Sequence, residues 1–342
     1  MTPVPLRPRR CARSFLLPAL ASALVLLAAL LLAPTAGAAG ASRTRAHASA
    51  SYLTGIGDEH AEMFGDPLYR QLHTRIARLI VAYDVVARPY FLKQAYTWIH
   101  DAEAQHVQVL VAFYHSEYTP TRMPSVALYQ HDVQKFVKLF PNVKQYQSWD
   151  EANRGNVAHA FSSPSAALAA RYYQALLRVC KGCTVLGLDV LDAANIGPTL
   201  EYISEFKREI GRLRTLMPKY WGLHNYSDVN RFESWRTAEL ANALGGQVWL
   251  TETGGIVKFG ESFPNYHGSG LMRAAKALKY MFSLASSSSR IKRLYIFDWT
   301  GGVTATRFDA GLMDSRYKPR PGYVVVCRQL HGARCAVHTS SR

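Results

Sequence analysis

"VKQYQSWDEANRG", residues 143–155, starts like a strand and ends in a knot of polar groups. Val143, Tyr146 and Trp149 suit an extended segment, because β-branched and aromatic side chains pack well on a pleated surface. Asp150, Glu151, Asn153 and Arg154 then follow almost without a break. Two adjacent acids beside an indole, just where a strand stops, suggest a strand end that opens into a site. What fold this implies depends on whether other strands end in the same way.

They do, in both directions along the chain. "SYLTGIG" (51–57), "IARLIVAY" (76–83) and "VQVLVAFY" (107–114) precede it, and "TVLGLDVL" (184–191), "YWGLHNY" (220–226), "QVWLTE" (247–252) and "RLYIFDW" (293–299) follow. Between them lie stretches with apolar residues at helical spacing, at 90–105, 125–140, 166–180, 199–216 and 270–287. Pro141, Pro218 and Gly245 stand where helices should stop. Eight strands alternating with helices predict an α/β chain with a parallel sheet and right-handed crossovers. Eight units close a single (β/α)8 TIM barrel, expected over residues 51–338. A doubly wound open sheet would want a glycine-rich phosphate turn after an early strand. "GIGDEHAEM" (55–63) lacks that spacing, and it reads instead as a first βα loop lining a subsite.

The first 38 residues look like a targeting segment. "MTPVPLRPRRCARS" carries four arginines and no acid, a long apolar run follows, and Ala36-Gly37-Ala38 offers small residues for cleavage. The expectation is a secreted, extracellular protein. An uncleaved membrane anchor is the alternative, since the run approaches the ~20 residues that span a bilayer. Residues 39–50 read as a disordered linker. The formal charge of +16 falls by four with the leader. No basic patch is interleaved with aromatics, so a nucleic-acid partner is not expected. Contact with a membrane is expected only through the leader, and the chain is expected to be a monomer.

Outside the leader there are four cysteines, Cys180 and Cys183 in "CKGC" and Cys327 and Cys335 around "RQLHGAR". In an exported chain they suggest two local disulfides. Zinc is the competing reading for "CxxC", but the second pair has the wrong spacing for the other half of a site.

Active groups of such a barrel collect where strands end. Among the polar residues there, Glu151 and Glu252 stand out, separated by three βα units. Two carboxyl groups facing one another across a groove suit glycoside hydrolysis, one protonated to release the leaving oxygen and one ionised to attack. The strand ends resemble those of the retaining (β/α)8 glycoside hydrolases of clan A, including families 5 and 39. "WDEAN" (149–153) looks like that clan's Trp-Asn-Glu-Pro-Asn motif, which implies Glu151 as acid/base. "WLTETGG" (249–255) looks like its nucleophile motif, which implies Glu252. "LHNY" (223–226) matches a His-x-Tyr pattern, with His224 lining the pocket and Tyr226 bonded to the nucleophile. The same resemblance implies Arg78 as the arginine that holds the nucleophile ionised. It implies His115 as a substrate-binding histidine and Trp299 as the floor of the sugar site.

What the resemblance implies is an oligo- or polysaccharide substrate, with no metal or organic cofactor. Asp150 departs from the clan's Asn. An ionised Asp only accepts hydrogen bonds. It could take one from a sugar 2-hydroxyl, and its charge should raise the proton affinity of Glu151. The rival reading is a catalytically degenerate barrel that binds extracellular polysaccharide without cleaving it.

Overall fold

The computed structural model describes residues 52–155, 163–260, 269–303 and 305–335. The expected leader (1–38), linker (39–50) and last residues of the barrel (336–338) lie outside these. Strands β1 (Leu53–Gly57), β2 (Ile76–Ala82), β3 (Gln108–Tyr114), β4 (Gln145–Gln147), β5 (Thr184–Leu186), β6 (Asp189–Leu191), β7 (Tyr220–His224), β8 (Gln247–Thr253) and β10 (Ile291–Phe297) form one parallel sheet. Its order is β5-β4-β3-β2-β1-β10-β8-β7-β6. The two ends of that order, β5 and β6, are consecutive pieces of the run 184–191. The sheet therefore returns on itself as a barrel of eight staves. Gly187 and Leu188 bridge the interruption: Gly187 N–H donates to Tyr220 O (2.9 Å) and Leu188 O accepts from Gly222 N–H (2.7 Å).

Helices α1 (Pro67–Gln71), α2 (Pro89–Ala104), α3 (Val126–Leu139), α4 (Ala166–Val179), α5 (Gly197–Arg212), α6 (Tyr226–Arg231), α7 (Trp235–Leu244), α8 (Ser269–Ser286) and α9 (Pro321–His331) complete the chain. Their starts are written locally. Pro89 and Pro321 open α2 and α9, where the missing N–H costs nothing. The side chains of Ser125 and Ser165 cap α3 and α4 by accepting from Leu128 N–H and Leu168 N–H, each at 3.2 Å. In α2 the buried residues are Ala95, Trp98, Ile99 and Ala102, one stripe at helical spacing. Among the described residues, no helix is long and apolar enough to cross a membrane.

The strands bury both faces. Along β2, Ala77 and Leu79 join the large core between barrel and helices, while Ile76 joins a small interior cluster with Leu110, Leu186, Trp249 and Tyr295. Arg78 and Ile80 continue the interior face upward from Ile76. The interior is thus apolar low in the barrel and polar toward the C-terminal mouth. A short antiparallel pair, β9 (Lys258–Phe259) with β11 (Phe308–Asp309), lies outside the barrel sheet.

Cys180 with Cys183 and Cys327 with Cys335 are paired as disulfides, each with Cα atoms 5.6 Å apart.

Candidate active site

Arg78 organises the barrel mouth. It is 1% exposed, and a buried guanidinium needs acceptors for its donors. Nε donates to Gln147 Oε1 (2.7 Å) and Nη1 to Glu252 Oε1 (2.7 Å). Nη2 donates to Asp189 Oδ2 (3.0 Å) and to Asp150 Oδ1. One side chain thereby ties together β2, β4, β6 and β8.

His224, at the end of β7, forms a second centre and is fully buried. Its Nε2 lies 3.0 Å from Asp189 Oδ2, and its Nδ1 lies 3.2 Å from Glu151 Oε1 and 3.6 Å from Glu252 Oε2. Tyr226 Oη donates to Glu252 Oε2 at 3.4 Å. Arg154 Nη1 pairs with Glu151 Oε2 at 2.9 Å. Glu151, His224 and Glu252 each offer an atom within 4.8 Å of the other two. The two glutamates therefore face each other at close range.

Local backbone irregularities aim these groups. Between Leu250 and Glu252 the pairing of β8 with β7 slips by one residue. The slip lets consecutive residues serve one layer: Thr251 Oγ1 donates to Asp189 Oδ1 while Glu252 meets Arg78. Glu151 adopts φ 41°, a left-handed conformation that costs a non-glycine residue about 1–2 kcal/mol. Pairing on both sides holds it there, Asp150 N–H to Phe113 O and Ala152 N–H to Asp189 O, each at 2.8 Å.

The network splits its carboxyl groups into two kinds. Burial opposes ionisation of Asp189, yet His224, Arg78 and Thr251 outweigh it and hold this acid well below the ordinary range. Glu151 is also lowered: against burial stand the His224 hydrogen bond, the His224 charge and Arg154. The expected rise of Glu151 through Asp150 is therefore reversed, because two cations reach it directly. The rise falls on Asp150 itself, through burial and then through Glu252 and Asp189, with Arg78 acting against it. His224 is pushed well above its usual value by Asp189, Glu252 and Glu151, against burial. The network thus favours protons on His224 and Asp150 over Asp189 and Glu151.

A cavity of about 630 Å³ opens above this layer. Asp150, Glu151, Tyr226 and Glu252 line it, whereas Arg78 and His224 stand behind its wall. Two expected residues are elsewhere. His115 is not among the lining residues; its Nδ1 lies 3.2 Å from Ser116 O and its ring packs against Tyr114 at 4.1 Å. Trp299 is fully buried and edge-on to Tyr69 (5.5 Å) and Tyr323 (5.9 Å), so it is not the floor of the site. Asp58 Oδ2 accepts its backbone N–H at 3.1 Å, and its ring has gone into the core beneath α1 and α9. Phe297, two residues earlier, lines the cavity instead.

Three residues escaped the sequence reading: Gln147, Asp189 and Thr251. Asp189 left a signal, a charge inside the apolar run "TVLGLDVL", where only a buried cation could justify it. Gly222 belongs with them. A Cβ there would stand 2.2 Å from Asp189 Oδ1, 2.8 Å from Gln147 Nε2 and 2.9 Å from Thr251 Oγ1. Gly222→Ala should therefore cost about 1–3 kcal/mol by overpacking and slow any turnover, read from thermal melts and kcat. A variant as stable and active as the parent would show that this layer is not tightly packed.

Two triads hold donor atoms close enough for a metal: Asp150, Asp189 and His224, and Glu151, His224 and Glu252. Arg78 already fills the first with positive charge. In the second His224 favours its proton, which a metal ion would have to displace. The donor set suits proton transfer.

No protein-family model and no curated protein matches the sequence. Solved structures do match the fold. Xylanase 10B from Thermotoga maritima superposes with a TM-score of 0.59 at 12% identity, over 82% of this chain and 95% of its own. An endo-1,4-β-xylanase from Penicillium canescens gives 0.58 at 14%, over 84% and 97%. A family 39 glycoside hydrolase from Bacteroides cellulosilyticus gives 0.53 at 15%, over 83% of this chain but only 64% of that longer one. The structure shares the (β/α)8-barrel fold of the clan A glycoside hydrolases.

Proposed function

We propose that the chain is an exported glycoside hydrolase that cleaves O-glycosidic bonds with retention. Glu252 attacks the anomeric carbon, forming a C–O bond as the glycosidic bond breaks, and Glu151 gives its proton to the departing oxygen. Water then yields a proton to Glu151 and its oxygen to the anomeric carbon, freeing Glu252. The observation that carries this reading is the approach of the two glutamates within 4.8 Å across one cavity. Retaining enzymes hold their carboxyl groups about 5–5.5 Å apart, and inverting enzymes leave about 6.5–9.5 Å for a water. Arg78 Nη1 and Tyr226 Oη both hold Glu252 by hydrogen bonds. His224, which the network favours in its protonated form, has Nδ1 3.2 Å from Glu151 and can supply the proton that Glu151 needs. Ile80, Tyr114 and Phe297 offer apolar surface to the C–H faces of a sugar.

The likeness to xylanases puts xylo-oligosaccharides on the first substrate panel, beside activated aryl β-glycosides. NMR of the first-formed product should show retained configuration. Glu151→Ala should slow poor leaving groups by about 10²–10⁴-fold, spare reactive ones and give glycosyl azide when azide is added. An inverted product would reject the mechanism. Glycan binding without any turnover would favour a degenerate barrel.

A further inference from the structure

We propose that the sugar held between Glu151 and Glu252 carries an ammonium group on the carbon beside the reacting one, so that 2-amino-2-deoxy glycosides are the substrates. This rests on the glycosidase reading and narrows it.

Position comes first. Arg78 holds Glu252 through Nη1 and Asp150 through Nη2. The two carboxylates therefore stand side by side on one guanidinium, and both line the cavity. A sugar whose anomeric carbon meets Glu252 turns the substituent of its neighbouring carbon toward Asp150. Asp150 is 4% exposed. Its Oδ1 is taken by Arg78, and among the described residues no group hydrogen-bonds Oδ2. A carboxyl oxygen with no protein partner among the described residues is thus left on the cavity wall to meet substrate. Ionised, it only accepts, and an ammonium only donates.

Charge points the same way. Glu59, Glu117, Asp150, Glu151, Asp192 and Glu252 line the cavity, against Arg154 and Arg231. The layer behind adds Asp189, Arg78 and His224. Seven carboxyl groups thus meet four cations, and burial raises three of the seven, Asp150, Glu59 (to about 8) and Asp192 (to about 7), so that they hold protons readily. A cationic ligand would favour ionisation of these carboxyl groups, and an anionic one would oppose it. The groups packed around Asp150 agree: burial, Glu252 and Asp189 make its negative charge costly, and Arg78 and His224 offset this incompletely. An ammonium seated on Oδ2 supplies the missing charge.

The test compares kcat/KM on 4-nitrophenyl 2-amino-2-deoxy-β-glycosides, gluco and galacto, with their 2-acetamido and 2-hydroxy counterparts. Wild type should prefer the free amine about 10- to 100-fold, the scale of one hydrogen bond to a charged group. Asp150→Asn should lose that preference. Equal or better rates on the 2-hydroxy sugar, or a preference that survives in Asp150→Asn, would overturn the proposal and leave Asp150 as a protonated stand-in for an amide. If wild type cleaves neither these nor the xylo-oligosaccharides, the glycosidase reading fails instead. Calorimetry with glucosamine, N-acetylglucosamine and xylose oligomers then decides the inference separately. Tighter binding of the glucosamine oligomers, lost in Asp150→Asn, supports it, and indifference to the amine rejects it.

Discussion

Glu252→Gln should lose turnover of an activated aryl glycoside by on the order of 10⁴-fold or more, the scale seen when a nucleophile is removed, while the fold stays intact. Glutamine nearly matches the shape, and its amide oxygen can still accept from Arg78 Nη1. What it lacks is the negative charge that must form a bond to the anomeric carbon. Azide should rescue little, because the glutamine side chain still fills the space from which an external nucleophile would attack. Stability should fall only modestly: the amide keeps its bond to Arg78, and the lost pairing with Arg78 and His224 is offset in part by relief of Asp150, whose ionisation Glu252 opposes. Steady-state kinetics beside thermal melts separate the two effects. Turnover within tenfold of wild type would place the nucleophile elsewhere. A lower melting temperature with normal activity would make Glu252 a structural partner of Arg78.

The barrel could be read in the sequence because its strands are buried on both faces. Apolar runs such as "VQVLVAFY" show where they lie without any knowledge of partners. All eight predicted strands are present. The fifth is split in two, since Leu186 and Asp189 pair with different neighbours at the seam. Helix α9 was the hardest element to see. "PGYVVVCRQLH" has a β-branched core that favours a strand locally. Packing of Tyr323, Val326 and Cys327 decides for a helix.

The site was legible wherever a polar residue ends an apolar strand, and obscure where tertiary contacts choose its partner. Arg78, Asp150, Glu151, His224, Tyr226 and Glu252 all meet in one network. Trp299 misled, because an indole after a strand end can point either to the mouth or into the core, and the ties from Asp58 to the Trp299 and Thr300 N–H groups fix the latter. Asp189 was missed because its value lies in what it touches, Arg78 and His224 from strands far away in sequence.

Arg78→Met should be among the most damaging single changes to stability. Methionine roughly matches the length of the side chain and suits an apolar cavity, but it leaves Asp150, Asp189 and Glu252 facing one another without the guanidinium that they share. Removing one partner of a buried ion pair costs about 3–5 kcal/mol, which corresponds to a fall of roughly 10 °C in melting temperature. The pH dependence gives a sharper readout. In wild type Asp189 is held below its ordinary value, so the stability it contributes is present above that value and lost as pH falls through the lowered one. Without Arg78, Asp150 loses the main charge that lowers it and should rise further, and Asp189 should lose part of its depression. The folded variant then binds more protons than folded wild type, so it gains less stability as pH climbs from the acid side. Thermal melts of both proteins at acidic and neutral pH should therefore show the gap between them widening toward neutrality. A constant gap would mean that the lost stability comes from packing alone, and no gap at all would mean that the charges of the barrel mouth do not need Arg78.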